Sequence, residues 1–213
     1  MDYLSSLLPF MLEGTVITLK LFFLTLVMAL PLGVVMALGR LSSFKPLNGL
    51  MQFYIWVFRG TPLLLQLLFI YFGLGMVGVV MDRFVAAVVA FVLNYSAYLA
   101  EIYRTGIQSI DRGQYEAADV LGLSRWQTLV QIILPQMFKR VIPPISNEVI
   151  NLIKDTALIY AIGISELLRV AKIAAVRDAL FVPFIVAAVF YLVMTAVIQQ
   201  FFKWLESRYD YYR

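Results

Sequence analysis

Residues 15–38 read TVITLKLFFLTLVMALPLGVVMAL, a run in which Lys20 is the sole charge. About 20 apolar residues of helix cross the hydrocarbon of a bilayer, so this stretch is long enough to stay in a membrane. Working outward from it, four more blocks of similar character follow, at roughly 51–80, 84–103, 141–162 and 179–204. The whole chain agrees with its blocks. Of its 213 residues 62% are hydrophobic and 14% charged, and mean hydropathy is +0.86. A soluble domain carries nearer a quarter charged residues. The expected fold is therefore an all-α membrane protein, a single transmembrane domain over 1–213 with about five spanning helices.

Composition also removes whole classes of chemistry. With no cysteine and no histidine, disulfides, thiolate nucleophiles, histidine metal sites and Ser-His-Asp triads are out. The net charge of +4 reads as a bias of cytoplasmic loops, not as a nucleic-acid surface. MDYLSSLLPFMLEG at the start lacks the basic region of a cleaved signal peptide. Lysine and arginine set the expected orientation. With the N-terminus outside and the C-terminus in the cytoplasm, ten cations, among them Arg40, Arg104, Arg140, Arg208 and Arg213, fall inside. Four, Arg83, Arg169, Lys172 and Arg177, fall outside. That is the positive-inside arrangement.

Polar interruptions carry the rest. In the second block Arg59-Gly60-Thr61-Pro62 should break the helix, because proline lacks an N–H, and Arg59 is expected to play a structural part near the break. Residues 114–136 read QYEAADVLGLSRWQTLVQIILPQ. Gly113 is expected just before a short helix, with Glu116 in its first turn where a carboxylate suits the dipole. Gly122 and Ser124 read as a helix stop and a new N-cap, and the next helix is expected to meet Pro135. A short cytoplasmic helix between spans three and four follows, suited to passing motion to a docked partner. A plain amphipathic loop is the simpler alternative.

Inside the spans, charged and amide groups are costly and mark pathways or helix-to-helix glue. Candidates for substrate contact are Gln66 on the second span, Asn94, Tyr98 and Glu101 on the third, and Asn151, Asp155 and Thr156 on the fourth, with Glu148 and Lys154 nearby. Asn94, Tyr98 and Glu101 share one helix face, as do Glu148, Asn151 and Asp155, so two polar faces could enclose one cavity. A zwitterionic ligand would offer its ammonium to Glu101 or Asp155. Its carboxylate would go to an amide, to Thr156, or to N–H groups freed at the Thr61-Pro62 break. Glu101, Glu148 and Asp155 outnumber Lys154, which favours a cationic side chain. The alternative reading makes Asn94 and Asn151 glue, and Lys154 and Asp155 internal partners. The segment 164–177 reads as an external amphipathic helix, against either a substrate-delivering protein or the membrane interface.

Several motifs resemble one known family. Glu116-Ala117-Ala118, then Gly122, Ile132 and Leu134-Pro135, resembles the EAA loop of the permeases of ATP-binding-cassette (ABC) importers. The runs 59–66 (RGTPLLLQ), 94–101 (NYSAYLAE) and 154–158 (KDTAL), followed by Ile162-Gly163 and Glu166-Leu167, look like elements of its polar amino acid uptake branch. The likeness runs from Thr15 to about Arg208. Thr105 and Ala157 depart from it, where glycine and serine are common. The resemblance implies a type I importer fold in a bacterial inner or plasma membrane and an imported polar amino acid. It makes Glu116, Ala117, Ala118 and Gly122 a coupling helix (loop 112–136) docked on a separate ATPase dimer. This chain would hold no cofactor, its partner binding ATP and Mg. A second permease subunit, identical or closely related, and an extracytoplasmic binding protein complete the expected partners. The rivals are a secondary transporter or channel, which would not need the coupling loop, and an intramembrane enzyme built on paired carboxylates, for which nothing marks a nucleophile.

Overall fold

The computed structural model describes residues 2–209; Arg213, counted above among the inner cations, lies outside them. Every regular element among the described residues is helical. α1 (Asp2–Leu41) has 40 residues, about 60 Å at 1.5 Å per residue. That is far longer than the expected 15–38, since Pro9 and Pro31 are absorbed within the helix. α2 (Lys45–Gly60) ends at Thr61-Pro62. α3 (Leu63–Leu68) then continues through a π-helical stretch (Phe69–Gly73) into the single turn α4 (Leu74–Met76). The two halves of this interrupted block meet at 106°. The second span is thus two helices hinged at the proline, as its missing N–H requires.

α5 (Arg83–Gln108) starts one residue ahead of the expected 84–103, where the Asp82 side chain caps it by accepting from the Phe84 and Val85 amides, and runs on past 103 to Gln108. α6 (Arg112–Val120) is the short helix expected between spans three and four. Beyond it, α7 (Arg125–Gln127), a π stretch (Thr128–Ile133) and α8 (Leu134–Asp155) join end to end. Pro135 does not stop this helix. The wider π turns immediately before it relieve the ring's clash with the preceding turn. The block expected at 141–162 is therefore α8 plus 3-10 turns at Thr156–Ile162. α9 (Leu167–Asp178) and α10 (Val182–Arg208) complete the chain.

α1, α5 and α10 are long and apolar enough to cross a bilayer, and the bent α2–α4 pair adds a fourth candidate span. α8 falls short on apolarity, because Ser146, Glu148, Asn151 and Asp155 interrupt it. α1 lies along α5 on small residues; Ala29 and Ala37 of α1 are buried with Ala86, Ala90 and Ala97 of α5, which lets the backbones approach. At the other end of α1, Glu166 is fully buried as the cap of α9. It accepts from the Leu168 and Arg169 amides at 2.7 Å each and from the Tyr191 hydroxyl of α10 at 3.2 Å. The Leu167 amide donates to Thr18 of α1 at 3.4 Å. The buried carboxylate thus joins α9 to α10, and the adjacent Leu167 amide ties α9 to α1.

Candidate functional site

The broken span is clamped by two of the expected site residues. Pro62 has no N–H, so the Phe58 carbonyl four residues earlier loses its helical partner. The Gln66 amide donates to that carbonyl at 2.9 Å, and also to the Thr61 carbonyl and hydroxyl at 3.1 and 2.8 Å. Asn94 donates to Phe58 O at 3.1 Å and to Gln66 Oε1 at 2.9 Å. Both side chains are buried. Their hydrogen bonds are committed to the hinge, and their place is beneath the polar face, not on it. Thr156 is likewise fully buried, its hydroxyl donating to Ile153 O at 2.6 Å.

Tyr98, Glu101, Asn151 and Asp155 do reach solvent, but Glu101 is not a free acceptor. Arg104 grips it at 2.5 and 2.9 Å, and Arg59 approaches to 3.8 Å while lying over the Tyr98 ring at 5.3 Å. Arg40 lines the same cleft, with Gln52 and Trp56. Three guanidinium groups thus face one carboxylate. The expected ammonium site at Glu101 is instead the cationic end of the polar face, because the sequence separation of Arg40 and Arg59 from Glu101 hid their convergence. Further along α5, Tyr95 donates to Asp155 at 2.7 Å, and Glu148 lies within electrostatic reach of Asp155 and Arg59. This is the acidic end. Tyr95, Arg40 and Arg104 were missed from sequence; for Tyr95 the available signal was its place one turn before Tyr98.

α6 is built as an isolated, exposed hook. It begins at Arg112, one residue ahead of Gly113, because Asp111 caps it by accepting from the Gly113 amide at 2.7 Å. Glu116 consequently sits in the second turn, and Asp111 supplies the carboxylate at the positive end of the helix. Gly122 stops the helix at φ +72°, with Leu123 N bonded back to Ala118 O at 3.0 Å. Ser124 then opens α7 in a reciprocal capping box with Gln127. Glu116, Ala117 and Gly122 are exposed and Ala118 is buried against the chain. The hook is tied to the long helices by Gln136, which donates to Gln114 at 3.1 Å, and at its base Arg140 joins α8 to the end of α5 by donating to Ser109 O. Its tip carries Val120, 88% exposed, Leu121 and Trp126, an apolar patch of the kind partners cover.

With that geometry the comparisons agree. Residues 29–211 match the family described as "Binding-protein-dependent transport system inner membrane component". The chain belongs to this family. It is a membrane-embedded permease subunit of an ABC importer, and the ATPase of such importers is a separate subunit. The arginine transport system permease protein ArtQ of Bacillus subtilis (strain 168) is 41% identical over 203 residues, covering 94% of this chain and 93% of that protein. The L-cystine transport system permease protein TcyB of the same organism is 38% identical, covering 97% and 89%. Among solved structures, one described as an amino acid ABC transporter with histidines superposes with a TM-score of 0.90 at 40% identity, over 98% of this chain and 99% of its own.

Proposed function

We propose that this permease imports a basic amino acid, arginine foremost, with lysine and histidine as related cargo. The observation that carries the reading is the charge order along the face shared by α2, α5 and α8. Arg40, Arg59 and Arg104 outnumber Glu101 at one end, Asp155 stands at the other beside Lys154, and Glu148 lies within electrostatic reach of both Arg59 and Asp155. A basic amino acid lies along such a face in one sense only, its carboxylate toward the arginines and its cationic side chain toward the acids, with Tyr98 and Asn151 between. Gln66, Asn94 and Thr156 hold the hinge and helix ends behind them. The resemblance to the arginine permease supports the same choice.

The face is open on one side in a single chain, so a second copy or close relative closes the pathway. Glu116, Ala117, Ala118 and Gly122 present α6 to a cytoplasmic ATPase dimer that binds ATP and Mg. An extracytoplasmic binding protein delivers the cargo. The N-terminus is outside and the C-terminus cytoplasmic. Uptake of labelled arginine, histidine, glutamine and glutamate by the reconstituted importer tests the cargo. Arginine should be preferred, and Glu148→Gln with Asp155→Asn should lower arginine uptake at least about tenfold, one lost charge contact of roughly 1.4 kcal/mol, while sparing glutamine more. Preferred uptake of glutamate would overturn the charge argument.

A further inference from the structure

We propose that the groove beside α9 binds the phosphate of an anionic phospholipid. The groove has a volume of about 540 Å3 and is lined by Tyr160, Arg169, Lys172, Ile173, Val176 and Arg177. That size is typical of small-ligand sites. Gly163, at φ +86°, forms its neighbouring rim. A Cβ built there would meet Arg83 Nη1 at 3.0 Å and Arg169 Nη1 at 3.3 Å, so two guanidinium groups converge on one point of backbone.

Among the described residues only Arg177 of these cations is in a salt bridge, and Arg169 is within electrostatic reach of the capping carboxylate of Glu166. Arg83 donates to the Tyr71 hydroxyl at 3.2 Å, and Arg169 to the Tyr160 carbonyl at 3.3 Å. Lys172 lies over the Tyr160 ring at 5.4 Å. Arg177 is paired with Asp178 at 2.7 Å. The acids next in sequence to this cluster are already engaged, Asp82 capping α5 and Glu166 buried as the cap of α9. Three like charges gathered around two tyrosines call for an anion from outside the chain, and paired arginines suit a phosphate.

Depth and shape favour a lipid over an acidic protein. Arg83 is the first residue of the spanning helix α5, which puts the cluster at headgroup level, and tyrosines mark that level. Ile173 and Val176 share the groove and are 52% and 74% exposed. A phospholipid fits both halves, its phosphate on Arg169, Lys172 and Arg83 and an acyl chain over Ile173 and Val176.

The test is a binding titration of the purified importer, read by native mass spectrometry. The ligands are dioleoylphosphatidylglycerol, dioleoylphosphatidylcholine and inorganic phosphate. Phosphatidylglycerol should bind at least about tenfold tighter than phosphatidylcholine, and Arg169→Gln with Lys172→Gln should remove about tenfold or more of that affinity, since each cation near such a surface contributes roughly 1 kcal/mol. The remote Lys45→Gln should bind nearly as the parent does. Thermal unfolding in phosphatidylcholine alone checks folding. If the double variant is unstable, Lys172→Gln, on an exposed side chain, carries the comparison with a smaller loss. Three results would overturn the proposal. The first is equal affinity for the two lipids, or for parent and variant. The second is full competition by millimolar phosphate, which would mean a simple anion site. The third is loss of affinity for an acidic binding protein with lipid binding unchanged. Because the readout is lipid binding, its failure leaves the choice of cargo untouched.

Discussion

Replacing Gln66 by leucine should loosen the hinge of the broken span by an amount that can be worked out from its contacts. Gln66 makes four polar contacts there, but its NH2 has two hydrogens, one shared between the Thr61 oxygens, so they amount to about three hydrogen bonds, two donated and one accepted from Asn94. Hydrogen bonds between membrane helices average about 0.6 kcal/mol, so the three together come to about 1.8 kcal/mol. The Phe58 carbonyl keeps Asn94 as a donor, and leucine packs a similar volume, so the expected net loss is about 1.5 kcal/mol. For a chain of this length that lowers the unfolding midpoint by about 3–6 °C. Asn94→Leu removes two bonds and should cost about two-thirds as much. Because Gln66 and Asn94 bond each other and share Phe58 O, the double variant should fall short of the sum by about 0.6 kcal/mol or more. Thermal unfolding of the purified importer, parent and three variants side by side, measures all of these. Strict additivity of the two variants, or a change below about 0.5 kcal/mol for Gln66→Leu, would mean that the hinge is held by something other than this clamp.

Gly122→Asp should insert and assemble yet lose ATP-driven uptake, because φ +72° strains any residue with a Cβ and the strain falls on the tip of α6; normal uptake would remove α6 from the coupling path. Asp178 gives a pH dependence. Arg177, and then the Tyr3 hydroxyl at 2.7 Å, hold its carboxyl down at about 2, below the ordinary value near 3.9. The folded-state value is depressed, so its contribution is present above about pH 4 and is lost as the pH falls toward 2. Unfolding midpoints of the parent should therefore drop more steeply than those of Asp178→Asn across that window, and parallel curves would count against the contact.

The sequence by itself determined the membrane class, the helix break at Pro62, the stop and restart at Gly122 and Ser124, and the family motifs. Each rests on a property that neighbours along the chain decide: apolar length, a missing N–H, a positive φ, a capping side chain. It also placed the polar residues on shared helix faces, since periodicity is local. Tertiary structure alone decided which distant groups those residues bond or face. Glu101 read as a free acid until Arg40 and Arg59, from a distant stretch of chain, were seen beside it along with Arg104 one turn away on its own helix. Gln66 and Asn94, 28 positions apart, read as site residues until both were found on the carbonyl that Pro62 leaves unpaired. The reason is physical. A side chain's charge and hydrogen-bonding capacity are written in its identity, but whether they are spent or free depends on partners that only the packing of distant helices brings within 3 or 4 Å.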